Sequence, residues 1–95
     1  MIQKSENMIK ESEVKIKVLL DENQVPQDIE WSATDTEDEQ IRKSKAMIMA
    51  MWDKQEETTL RMDLWTTEMT IDDMKKFYHQ CFTSMADSFE RATSE

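Results

Sequence analysis

The sequence predicts an α+β domain in two layers with element order ββαβα: a three-stranded antiparallel sheet of order 2-1-3, covered on one face by two helices. Three observations carry that expectation. Residues 14–20 and 59–65 alternate apolar and polar side chains with period two. Residues 71–92 carry an apolar stripe at helical spacing behind a capping sequence. An acidic turn containing the only Pro, Pro26, stands between two of the strands. At 95 residues the chain is expected to be one domain over 13–95 after a polar lead-in at 1–12, because two halves would each be too small to bury a core.

The first strand is read at Val14, Ile16, Val18 and Leu20, which alternate with Lys15, Lys17 and Leu19. Asp21-Glu22-Asn23-Gln24-Val25-Pro26 supplies the turn, with Pro26 expected in the loop because it cannot donate a ladder bond. Ile29, Trp31 and Ala33 then form the second strand of a hairpin. A helix is expected from the Asp35–Glu39 acids to about Asp53, since Thr36 and Glu39 stand at capping-box spacing. Its core face is read as Ile41, Ser44, Ile48, Met51 and Trp52, and the run 46–52 is apolar on nearly every side. Leu60, Met62 and Leu64 mark the third strand. The last helix starts at a Thr70 cap with Asp73 three residues on, and its stripe is Ile71, Met74, Phe77, Tyr78, Cys81, Phe82, Met85 and Phe89. With the first strand central and both helices on its Val14/Ile16/Val18 side, Ile16→Asp is expected to abolish folding and Lys17→Asp to be mild.

Composition excludes more than it assigns. The chain has no Gly, so a Walker loop, a dinucleotide-binding turn, a nucleophile elbow and an EF-hand loop are all ruled out where backbone must approach a ligand or take positive φ. A net charge of −9 repels phosphate backbones and argues against nucleic acid. No apolar run approaches a spanning helix, and the amino terminus carries Lys and Glu where an export signal needs apolar residues. With a single cysteine, these features point to a cytoplasmic protein.

Catalytic chemistry finds little footing. His79 and Cys81 lie two residues apart on a helix, about 200° around its axis, so they cannot share a metal. Cys81 reads as a structural thiol on the stripe, His79 as a surface side chain. The carboxylate groups 37–39 and 72–73 stand at helix starts, where the dipole explains them. Asp53, Glu56 and Glu57 oppose the dipole at the end of the first expected helix and are candidates for a basic partner. Trp65 shares the expected solvated sheet face with Lys15, Lys17, Glu30, Arg61 and Asp63, where a large aromatic is either packed under a tail or marks an interaction surface. No catalytic residue, metal or cofactor is assigned.

The segments LDENQVPQDIEWSATD, MIMAMWDKQEETTLRMDLWTTEM and IDDMKKFYHQCFTSMADSFERAT resemble the gliding-motility-associated protein C (GldC) family of Bacteroidota, over residues 13–93. The resemblance rests on Ile29-Glu30-Trp31 after an acidic hairpin, on Asp63-Leu64-Trp65, and on Phe77-Tyr78-His79-Gln80, in that order and spacing. It implies a small, non-enzymatic cytoplasmic accessory of a machinery that moves cells over surfaces and is tied to protein secretion. It carries no catalytic residues onto named positions, and it implies further helical sequence in members beyond the point where this chain stops.

The expected mode of action is protein–protein interaction, with motility or envelope-associated partners and a homodimer. The last helix should span about 33 Å over strands of about 20–27 Å, so Met85, Phe89 and Ala92 overhang the sheet. Packing against a symmetry mate would cover them, and the alternatives are Met8 and Ile9 folding back over them or fraying of the end. Met47, Met49 and Trp65 are the alternative contact surface. The rival class is a small-molecule-binding or enzymatic domain with a pocket between helices and sheet lined by Met47, Met51 and Phe82.

Overall fold

The computed structural model describes residues 10–34 and 40–94. Five strands precede one long helix: β1 (Val14–Leu20), β2 (Pro26–Ala33), β3 (Arg42–Ser44), β4 (Ala46–Trp52), β5 (Thr59–Trp65) and α1 (Ile71–Thr93). The class is α+β, with a three-stranded antiparallel sheet of order β1-β2-β3 and a separate two-stranded ladder of β4 and β5. The expected Thr36–Glu39 capping box and the Met8/Ile9 cover lie outside the described residues.

The β1–β2 hairpin forms where alternation places it. Val14, Ile16 and Val18 face Ala33, Trp31 and Ile29 across the ladder, while Lys15 and Lys17 face Ser32 and Glu30. Direct cross-strand partners share a sheet face, so one face is apolar and the other charged. The turn is held by Asp21, whose Oδ1 accepts from the N–H groups of Asn23 at 2.8 Å and Val25 at 3.0 Å, and Gln24 takes φ 66° there in the absence of any Gly. Pro26 is the first residue of β2 and not a loop residue. The register shifts beside it, pairing Leu19 with Asp28 but Leu20 with Pro26, and such a bulge is where a strand tolerates Pro.

The expected helix over 36–53 is corrected: Arg42–Ser44 and Ala46–Trp52 are strands. A seven-residue apolar run fits a strand as well as about two turns of helix, and periodicity cannot separate the two. Pairing decides it, because Ala46–Trp52 takes residues 59–65 as a full-length antiparallel partner. The sheet order 2-1-3 is corrected with it. β3 occupies the second edge of β2, and β5 pairs with β4 instead of β1, so β1 is an edge strand.

Only Lys45 separates β3 from β4, and it joins the parts of the molecule. Its carbonyl accepts from the Thr66 N–H at 2.8 Å and the Thr66 hydroxyl at 2.9 Å, and its ammonium lies 3.4 Å from Asp73 at the start of α1. Thr66 is thus buried with its polar atoms satisfied.

Among the described residues no helix lies over the Val14/Ile16/Val18 face, which corrects the expected second layer; Val14 is 67% and Ile16 41% exposed. Ile29, at 1%, is the one fully buried apolar side chain among the described residues. The radius of gyration is 17.2 Å, against about 12 Å for a compact domain of this length. The chain is elongated, with most of its large apolar side chains on the outside.

Candidate protein-interaction surface

The β4–β5 hairpin arises from two apolar runs joined by an acidic turn. Asp53 shapes that turn: its Oδ2 accepts from the Glu56 N–H at 2.7 Å and the Gln55 N–H at 3.2 Å, and its own N–H donates to the Thr58 carbonyl at 2.8 Å. Glu57 supplies the left-handed residue at φ 55°. Asp53, Glu56 and Glu57 therefore do not oppose a helix dipole; Asp53 is turn chemistry, and the reason for reserving these acids for a basic partner disappears.

Register then sorts the hairpin's side chains. Met47/Leu64, Met49/Met62 and Met51/Leu60 are direct partners, so one face consists of four Met and two Leu. The other pairs are Ala46/Trp65, Ile48/Asp63, Ala50/Arg61 and Trp52/Thr59. On that face Arg61 donates to both Asp63 oxygens at 3.1 and 3.0 Å. The Met/Leu face opens toward the hairpin tip: Met47, Met49 and Leu64 are half-buried, whereas Met51 and Leu60 are each 57% exposed and Met62 45%.

Helix α1 begins at a complete capping box. The Asp73 N–H donates to Thr70 Oγ1 at 3.0 Å and the Thr70 N–H donates to Asp73 Oδ2 at 3.3 Å. That second bond holds the Asp73 carboxyl below the usual carboxylate range, against the opposing effect of desolvation and with help from Lys45. Because the folded value lies below the unfolded 3.8, the contribution is present in full above that value and lost as pH falls through the lowered one. Acid titration followed by circular dichroism should show helix weakening below about pH 4, with a shallower acid limb in Asp73→Asn; identical limbs would remove Asp73 from the account.

The stripe of α1 divides in two. Met74, Phe77, Tyr78 and Cys81 are half-buried, and the first turns stand beside Ser44, Lys45 and Ala46 across an open groove. From Phe82 through Thr93 every residue is exposed, with Phe82 at 65%, Met85 at 63% and Phe89 at 69%. Phe82 meets Tyr78 edge-on at 6.2 Å between ring centroids, which leaves its outer face open. The free end is longer than the strand lengths suggest, because the body under α1 stops at Cys81.

The sequence-derived candidates thus fall on separate elements. Met85 and Phe89 sit on the free end of α1, Met47 and Met49 on β4, and Trp65, 51% exposed, at the end of β5 beside Val25 and Pro26. Met51, Leu60 and Met62 join Met47 and Met49 on one face and were missed as surface residues; alternation in 59–65 signalled two of them, but the helix reading of 46–52 hid their partners. The rival pocket is corrected: Met51 and Phe82 are each more than half exposed, and Met47 lines a separate small cavity with Val14, Ile16, Ile29 and Trp31. Among the described residues, no three His, Cys, Asp or Glu are grouped to hold a metal ion, and no helix is long and apolar enough to cross a membrane.

A family model described as Gliding motility-associated protein GldC-like matches residues 26–95, from the first residue of β2 through α1. No curated protein and no solved structure matches the chain.

Proposed function

The chain belongs to the GldC-like family of gliding-motility-associated proteins, and from that membership we propose that it is a cytoplasmic, non-enzymatic accessory of the motility machinery that acts by binding protein, itself included. The observation that carries the reading is the apolar surface left open by the chain: the distal half of α1 and the tip of the β4–β5 hairpin present Phe82, Met85, Phe89, Met51 and Leu60 more than half exposed. Burial of such side chains contributes about 1.5–3 kcal/mol each, a large share of the stability of a small domain. A chain that leaves them out and fully buries only Ile29 among its described apolar residues is completed by a partner surface.

Self-association is part of the reading because unsatisfied apolar surface occurs on two elements of one chain, which suits a two-fold contact. A cytoplasmic setting fits the lone thiol of Cys81. In a gliding host whose own copy is deleted, the parent chain should restore spreading and Met85→Glu should not, at equal protein level, while His79→Ala, an exposed change outside the apolar stripe, should spread like the parent. Full spreading with Met85→Glu would contradict the proposal.

A further inference from the structure

Two apolar surfaces of the chain are open. The first is the tip-ward part of the hairpin's Met/Leu face, from the Met49–Met62 pair to Met51 and Leu60, about 10–13 Å along the strands. The free end of α1, residues 82–93, rises about 18 Å, with Phe82, Met85 and Phe89 on one stripe. Within one chain both stay exposed, Phe82, Met85 and Phe89 at 65%, 63% and 69% and Met51, Leu60 and Met62 at 57%, 57% and 45%. Helix α1 is unbroken from Ile71 to Thr93, contains neither Pro nor Gly, and so carries its free half straight on from the half seated at Phe77.

Resting on the self-association proposed above, we infer that two copies pair isologously, the free end of each α1 lying on the Met49–Met62 face of the other's hairpin. One two-fold contact covers both open surfaces on both chains, whereas helix-to-helix pairing covers only one and leaves the hairpin in water. A large side chain offers about 150–250 Å². At their observed exposures Phe82, Met85, Phe89, Met51, Leu60 and Met62 bury about 700 Å² per chain and about 1,400 Å² in the pair, within the range of a stable specific interface. The net charge of −9 does not stand in the way, because these six side chains carry none. On the free end of α1, Asp87 pairs with Arg91 at 3.6 Å, and on the opposite face of the hairpin Asp63 pairs with Arg61 at 3.0 Å. A second copy brings both complementary surfaces by construction, which a foreign partner would have to supply separately.

Inter-chain disulfide formation tests the arrangement. In a Cys81→Ser background, a chain carrying Met62→Cys is mixed with one carrying Met85→Cys and oxidised; both positions are exposed, so either change leaves the fold in place. The expected result is a covalent dimer holding one chain of each kind, formed at least several-fold more than by either variant alone. Efficient cross-linking of Met85→Cys with itself would establish helix-to-helix pairing and overturn the inference. A dimer by light scattering with no mixed cross-link overturns it too while leaving self-association standing, and a monomer overturns both.

Discussion

Ile29→Asp is expected to leave no cooperative unfolding transition in a thermal melt followed by circular dichroism. Ile29 is 1% exposed, pairs with Val18 on one side and Ser44 on the other, and so lies at the centre of the three-stranded sheet. The neighbouring cation, Lys43, already pairs with Asp28 at 2.9 Å and Glu30 at 3.8 Å on the opposite sheet face, and an unpaired buried carboxylate costs several kcal/mol. That is comparable to the whole stability of about 5–14 kcal/mol for a chain of this length. Ile29→Ala removes only volume and should cost about 2–4 kcal/mol, leaving a transition at lower temperature. Ile16→Asp, expected from alternation alone to be equally destructive, sits on the edge strand at 41% exposure and should leave a folded chain. Parent-like melting of Ile29→Asp would show that the sheet is centred elsewhere.

Phe89→Glu is expected to convert the proposed dimer to monomer without disturbing the sheet. Phe89 is 69% exposed in the single chain and lies four residues before the end of α1, so no intramolecular packing is lost with it. In a two-fold pair the ring is buried twice, and at about 2 kcal/mol each the change weakens dimerisation by about 4 kcal/mol, near a thousandfold in Kd. Sedimentation should show one chain per particle with an unaltered far-ultraviolet spectrum. A dimer that survives in this variant would move the interface off the helix, to Met47, Met49 and Trp65.

The parts of the fold that were legible in sequence are those where one local signal suffices. Period-two alternation located β1 and β5, and a Thr70–Asp73 capping box with a 3.6-residue stripe located α1 from Ile71 almost to its last residue. The stretch 41–52 was not legible. Met, Ala and Lys favour helix by propensity, Ile41, Ser44, Ile48 and Met51 happen to fall at helical spacing, and the partner that makes Ala46–Trp52 a strand lies outside the segment on β5, seven residues away at Trp52 and nineteen at Ala46. From that one assignment the rest followed: with no β4, β5 had only β1 to pair with, which set the wrong sheet order, and Asp53 was read as a mis-charged helix end when it is the acceptor that closes a hairpin turn.

The interaction surface was half legible for the same reason. Comparing helix and strand lengths exposes Met85 and Phe89, because it needs only the rise per residue of each element. The Met/Leu face needs cross-strand register, which places Met49 opposite Met62 and cannot be read from either segment alone.

The measurement that bears most directly on the claim that this chain works by protein contact, beginning with itself, is the mass of the purified chain by light scattering at tens of micromolar. A particle of twice the 11.3 kDa chain is expected; a particle of one chain, folded and stable at that concentration, would contradict self-association.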